Sequence, residues 1–198
     1  MSDHKIDESA DDLAPTATSG YKVGAKKTVE ELAQLDAADE SLKKWKESLG
    51  LKGQAAGPAD DPRKVVVLAL ALEVDGRSDV VVDLSTPDAI KALENQNMTI
   101  KEGVEYRLKV KFKVQHDVIS GLKYLHVVKR KGIKVDKMEE MLGSYGPAAD
   151  PYEKKFLTEE APSGMLARGH YVVKSRFVDD DNHCHLEWTW VSAASLCL

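Results

Sequence analysis

The spacing of apolar side chains changes once along this chain. Ahead of Lys64 they recur every third or fourth residue, and after it every second. In the earlier stretch, Thr28-Val29-Glu30-Glu31 fits a capping box, in which hydroxyl and carboxylate satisfy each other's free amides. Leu32 and Leu35 follow one turn apart and predict a short first helix. A second helix is predicted to start with Asp36 as its cap. Asp39 and Glu40 fall in its early turns and Lys43, Lys44 and Lys46 later, the order that the helix dipole favours. Leu42, Trp45 and Leu49 stand at i, i+3 and i+7, a narrow apolar stripe, and Gly50 suits the terminator. Helices this short are marginal in water unless something covers them. The stripe therefore needs a surface, either the chain's own β domain or another protein.

Beyond Lys64 the pattern is that of strands. Val65–Leu72 is nearly continuous and apolar, and Asp75-Gly76 ends it. Val80–Leu84 is a second candidate, and Pro87–Leu93 predicts a short helical turn. Tyr106, Leu108, Val110, Phe112 and Val114 alternate with Arg107, Lys109, Lys111 and Lys113, the mark of a half-buried antiparallel strand. Leu122–Val128 is expected to pair with a later strand across the basic turn Lys129-Arg130-Lys131-Gly132. Tyr171–Phe177 and Leu186–Val191 follow, separated by Asp179-Asp180-Asp181-Asn182. Short strands divided by turn signals predict a β-sandwich. The period-2 rule puts Leu186, Trp188 and Trp190 on one face, as core or as the wall of a cavity between the sheets.

Charge sharpens this division. Residues 1–62 hold 13 acidic and 8 basic side chains, whereas residues 63–198 hold 20 of each. The first stretch has two aromatic residues, Tyr21 and Trp45, and buries too little to offset its ordering entropy. Residues 1–62 are thus expected to form a mobile acidic regulatory arm, with a helix pair at about 28–49 that orders on a partner. Residues 63–198 are expected to form the sandwich. The first 25 residues show no periodicity. An acidic arm points away from nucleic acid and towards a protein partner.

No signal-peptide pattern opens the chain and no run approaches the ~20 apolar residues of a membrane span. The two cysteines, Cys184 and Cys197, lie in no metal-ligand spacing, so a reducing, cytosolic setting is expected. The ending Ser195-Leu196-Cys197-Leu198 is not a prenylation box, since serine stands where cysteine is required.

Candidate chemistry is sparse. Asp179–Asn182 opens like a calcium loop, but Cys184 and Trp190 occupy the positions that require glycine and a bidentate acid. His183 and His185 could offer two metal nitrogens, which is too few for a site. There is no phosphate-binding GxxxxGK or GxGxxG and no GxSxG elbow. Ser120-Gly121 and Ser144-Tyr145-Gly146-Pro147 read as turns. Lys129-Arg130-Lys131 with Lys134 reads as a solvated hairpin tip, or as a weak contact for anionic lipid. Neither an enzyme nor a cofactor is expected.

Several runs together resemble the Rho GDP-dissociation inhibitors, which carry prenylated Rho-type GTPases away from membranes. They are Lys101–Arg107 (KEGVEYR), Ser120-Gly121 with Lys123-Tyr124, Gly143–Pro147 (GSYGP), Glu159–Pro162 (EEAP), Met165–Gly169 (MLARG), and Lys174–Phe177 with the following Asp triplet. The resemblance covers roughly Thr28 to Trp190. It implies an immunoglobulin-like sandwich with a prenyl pocket between the sheets, walled at Leu72, Met98, Tyr106, Val118, Leu166, Trp188 and Trp190. It implies a GTPase-binding arm at Asp39, Ser41, Leu42, Trp45 and Leu49. Asp181 matches an acidic GTPase-contact position, and Glu159 and Glu160 are placed to meet the basic tail before a GTPase's lipidated cysteine.

The implied partners are prenylated Rho- or Rac-type GTPases, preferentially GDP-bound, the geranylgeranyl lipid, and transiently a membrane surface, with the protein itself a cytosolic monomer. This chain departs from the pattern in several places. His170 and Asn97 stand where relatives carry serines, Ala38 replaces one acid of the arm's acidic pair, and Val191–Leu198 lacks the charged family tail. A second reading is a general prenyl-binding solubility factor that shields lipidated tails without regulating nucleotide exchange. A third, an extracellular adhesion sandwich, is opposed by the missing signal pattern and the lack of an inter-sheet cysteine pair.

Overall fold

The computed structural model describes residues 13–16, 31, 39–42, 44, 57–58, 60–93 and 96–195. From Val65 onward the chain is an immunoglobulin-like β-sandwich. Its elements are β1 (Val65–Val74), β2 (Val80–Asp83), α1 (Pro87–Ala92), β3 (Asn97–Lys101), β4 (Glu105–Val114), β5 (Ile119–Arg130), β6 (Ile133–Tyr145), β7 (Tyr152–Glu160), β8 (Gly169–Val178) and β9 (Cys184–Ser195). One sheet has the order β2-β1-β4-β7 and the other β3-β9-β8-β5-β6.

The predicted strands are present, most of them longer than the apolar pattern indicated. Two further strands, β3 and β7, were not legible. In β7 only Phe156 is buried, so charged residues hide the alternation. β3 has five residues and buries Met98 and Ile100. It reaches the second sheet through α1, which Thr86 caps by accepting from the Ala89 amide at 3.2 Å. There it pairs in parallel with β9, from Asn97 opposite Val191 to Lys101 opposite Ser195.

The alternation of β4 is realised as predicted: Leu108, Val110, Phe112 and Val114 are buried between the sheets and Tyr106 is partly so. Trp188 and Trp190 face the same interior. The two ends of this interior differ. At one end, Phe112, Tyr145 and Tyr152 pack ring against ring at 4.7–5.7 Å. Tyr145 and Tyr152 donate their hydroxyls to the carbonyls of Leu142 and Gly146, both at 2.9 Å. The Gly143–Pro147 run thus closes that end. Ser120-Gly121 and the Asp triplet meet beside it. Asp180 donates its amide to the Ser120 carbonyl at 3.1 Å, and its carboxylate lies 3.4 Å from the buried Lys123 ammonium.

Asp39 accepts from the amides of Ser41 and Leu42 at 2.8 and 3.2 Å, and residues 40–42 are helical. Asp39 thus caps the turn that follows it. Asp36, Trp45, Leu49 and most of the expected helix pair lie outside the described residues, as does Thr28.

Gly121 has φ +59, and a Cβ there would come within 1.8 Å of Asp180 Oδ2. Gly121→Ala must both strain the backbone and push Asp180 from Lys123, for an expected loss of about 2–3 kcal/mol. Gly76→Ala, at φ +77 with open space around it, should lose only about 1 kcal/mol. Thermal unfolding of the two variants side by side tests this; equal losses would show that Asp180 yields freely.

Candidate functional site: a cavity between the sheets

At the end away from Gly121 the sheets do not close, and they leave a cavity of about 1000 Å³. That is the upper end of the range for small-molecule sites. Leu72, Ile100, Leu108, Val128, Val173 and Trp190 supply its apolar wall. The polar groups at its inner end are tied to one another. The fully buried Ser175 hydroxyl accepts from Trp190 Nε1 at 3.1 Å and lies 3.1 Å from the Tyr124 hydroxyl. His126 Nδ1 is 3.3 Å from that same hydroxyl. Tyr106 crosses the wall and donates to Glu159 at 2.6 Å. With these partners in place, the polar groups leave a largely hydrophobic chamber.

The mouth is built from sequence runs far apart in the chain. Gly103 and Ala161 exchange backbone hydrogen bonds across the start of β4, at 3.0 Å and, through Val104, 2.9 Å. Arg168 pairs with Glu102 at 3.0 Å. Arg130 donates to the carbonyls of Leu166 and Arg168, the latter at 2.6 Å, and lies 5.5 Å over the Tyr171 ring. Tyr171 in turn donates to the Ala167 carbonyl. The Lys101–Arg107, Glu159–Pro162 and Met165–Gly169 runs therefore converge on one rim, where Arg130 binds the hairpin tip to the 163–168 loop. Arg130 is an internal tie and not the solvated residue expected from the basic run.

A family model described as RHO protein GDP dissociation inhibitor matches residues 4–194. The chain belongs to the Rho GDP-dissociation inhibitor family. A Rho GDP-dissociation inhibitor of Schizosaccharomyces pombe is 49% identical over 168 residues, covering 85% of this chain and 82% of that protein. One of Saccharomyces cerevisiae is 48% identical over 177 residues, 86% of this chain and 87% of that protein. Rho GDP-dissociation inhibitor 1 of Homo sapiens is 46% identical over 171 residues, 86% and 82%. The family is one of regulators rather than enzymes.

Of the pocket positions that the family resemblance implied, the cavity brings together Leu72, Tyr106, Leu166 and Trp190. It does not include Met98, Val118 or Trp188. Met98 is buried in the core, and Ile100, two residues on, lines the cavity in its place. Val118 precedes β5 at the closed end. Trp188 stacks on Phe177 at 5.8 Å and 14°, two residues along β9 from the cavity-lining Trp190. His126, Ser175 and Arg130 are parts of this site that sequence reading missed. The first two fall on an inward face, but nothing in the local pattern distinguishes a cavity from solid core.

Glu159 and Glu160 lie on the rim of the cavity. Asp181 is exposed in the β8–β9 turn at the other end. The two are separated by most of β8, ten residues long, or roughly 30 Å at ~3.3 Å per residue. Beside Asp181, Asp179 accepts from the His183 amide and from His185 Nε2, both at 2.9 Å. Burial raises the Asp179 pKa, but these donors outweigh it and hold the carboxyl below its ordinary value. That arrangement satisfies His185, at the start of β9, from the turn beside it. Among the described residues no cluster of three His, Cys, Asp or Glu could hold a metal.

Burial lowers the pKa of His126, against the opposing pull of Glu159 and Asp136. The folded protein therefore binds this proton less readily than the unfolded chain does. Its contribution to stability is complete above the unfolded value, near 6.5, and is lost as pH falls below it towards the folded value. Unfolding free energy should thus decline as pH falls below about 6.5, and His126→Asn should flatten that part of the curve. Equal slopes in wild type and variant would assign the effect to other groups.

Proposed function

We propose that this chain binds prenylated Rho- or Rac-type GTPases, preferentially GDP-bound, slows their GDP release, and withdraws them from membranes into the cytosol as a monomer. The carrying observation is the apolar cavity between the sheets of a chain that belongs to this family. A twenty-carbon geranylgeranyl group gains on the order of 10 kcal/mol on leaving water, at ~0.8 kcal/mol per buried carbon. A lipid drawn from a bilayer gains far less, because it starts in an apolar medium. The chamber makes the transfer near neutral, and contacts with the GTPase must supply the remainder.

Those contacts come from two regions. In the arm, Asp39, Ser41, Leu42, Trp45 and Leu49 are the positions that meet the GTPase's switch loops, Asp39 capping the turn that carries Ser41 and Leu42. Holding those loops in one ordered state slows nucleotide release. On the sandwich, Glu159 and Glu160 stand at the cavity mouth for the basic tail before the lipidated cysteine, and Asp181 meets the GTPase body. Their separation requires a partner that straddles the long side of the sandwich. The mouth also carries exposed apolar side chains: Leu166 is 89% and Met165 81% exposed, and Ile133 on the basic hairpin is 71% exposed. Apolar tips flanked by Lys129, Lys131 and Lys134 suit a transient contact with an anionic membrane surface.

The test is GDP release from a geranylgeranylated Rho-type GTPase on liposomes, read together with sedimentation. The intact chain should slow release and move the GTPase into the supernatant. Trp190→Ala should lose extraction, and Leu166→Ser, altered only at an exposed position, should weaken it without changing the folded fraction. Deleting residues 1–60 should abolish the slowing of GDP release while some lipid binding remains. Extraction with unchanged GDP release would favour the general prenyl-binding factor, and no effect on either would overturn both readings.

A further inference from the structure

The outer face of the five-stranded sheet carries an apolar patch where strand alternation calls for solvent-facing residues. Leu125 and Val127 point outward from β5, yet they are 0% and 1% exposed. Their cover is Leu13, itself 0% exposed and clustered with Leu125, Val127 and Val178. The segment is gripped on both sides. Arg176 on β8 donates to the Leu13 carbonyl at 3.2 Å, and Lys137 on β6 donates to the Ala14 carbonyl at 3.3 Å. The Thr16 amide and hydroxyl both donate to the Glu139 carboxylate, at 3.1 and 2.7 Å.

The sheet register makes these grips one device. Leu125 pairs with Arg176 on one side and Glu139 on the other, and Val127 pairs with Lys174 and Lys137. Two adjacent rows of the sheet thus offer an apolar floor between charged walls. Glu187 takes up Lys174 and two nitrogens of Arg176, which leaves Arg176 Nη1 for the strap. Lys137 and Glu139 alternate with Asp136 and Met138, which pair with the cavity-lining Val128 and His126 and border the cavity on the inner face. They sit on β6, which has a paired neighbour on one side only.

From this geometry we infer that Leu13–Thr16 is a strap with its own docking site on the outer face of the sheet, and that its docking strengthens lipid binding in the cavity by ordering β6. The second half rests on the lipid reading given above. The coupling runs through one shared strand. A strap that grips Lys137 and Glu139 on the outer face of β6 orders the strand whose inner face, at Asp136 and Met138, borders the cavity, and so removes part of the ordering cost that a bound lipid would otherwise meet. By reciprocity, a filled cavity tightens the strap by the same factor.

The test uses the full-length chain as wild type, Leu13→Asp and Leu13→Met. Backbone amide shifts of Leu125, Val127, Val178 and Glu139 report the strap, and a fluorescent geranylgeranyl-cysteine peptide reports the cavity. Leu13→Asp should move the amide shifts and weaken probe binding about fivefold, the lower end of usual coupling between sites. Leu13→Met should restore both, which separates apolar docking from a general effect of mutation. Amide shifts unmoved by Leu13→Asp would overturn the docking site. Shifts that move while the probe binds equally would overturn the coupling alone. A wild-type chain that takes up no probe would overturn the lipid reading and the coupling with it, while the shifts would still decide the strap.

Discussion

Everything in this sandwich depends on where its two sheets stop touching, and Tyr124 marks that boundary. Its ring is fully buried and packs against Phe156, Phe177, Trp188 and His126 at centroid separations of 5.1–6.2 Å. Its hydroxyl points the other way, into the polar chain that ends the chamber. Burial drives the Tyr124 pKa well above its ordinary value, so it remains a neutral hydrogen-bonding group there. On one side of this ring the interior is filled by aromatic packing. On the other it is open. A large ring that satisfies its hydroxyl can stand at such a border, because one edge is at home in solid core and the other against a polar wall.

The hollow half is possible because its rim is held from outside the core. Arg130, Arg168 and Glu102 tie the hairpin, the 163–168 loop and the start of β4 into one frame. Their partners are carbonyls and a carboxylate, which fix positions without filling space. A chamber with apolar walls would otherwise tend to collapse, since burying its lining is favourable. Charged ties around the mouth and a closed aromatic block at the far end keep the sheets apart between them.

The architecture was legible where a strand has one clean apolar face, as in β4, because alternation there is imposed by a core on one side and water on the other. It failed for β7, whose side chains are mostly charged although the strand pairs with β4 throughout. It also failed for β3, which is too short to repeat. The cavity was legible only through family resemblance: of the positions that it implied, Leu72, Tyr106, Leu166 and Trp190 line the chamber, and Met98, Val118 and Trp188 do not. Inward-facing residues look alike in sequence whether they meet a neighbour or a void. Arg130 was misread for a related reason: a basic residue at a hairpin tip gives no sign that carbonyls wait within reach. Leu13 lies in a stretch without periodicity, so no pattern could have announced its place on the sheet.

The parallel pairing of β3 with β9 has a consequence for solubility. The tryptophan-bearing strand would otherwise offer a bare row of amides and carbonyls next to an apolar interior. β3 covers β9 from Val191 to Ser195, and the sheet's border strands are the five-residue β3 and, on the far side, β6. That strand carries Lys134, Asp136, Lys137, Glu139 and Glu140 in close succession. A border of mixed charge is a poor template for another chain's strand. Such a molecule can keep a hollow, greasy interior and still resist sheet-to-sheet aggregation when crowded, because one border strand is very short and the other is crowded with charge.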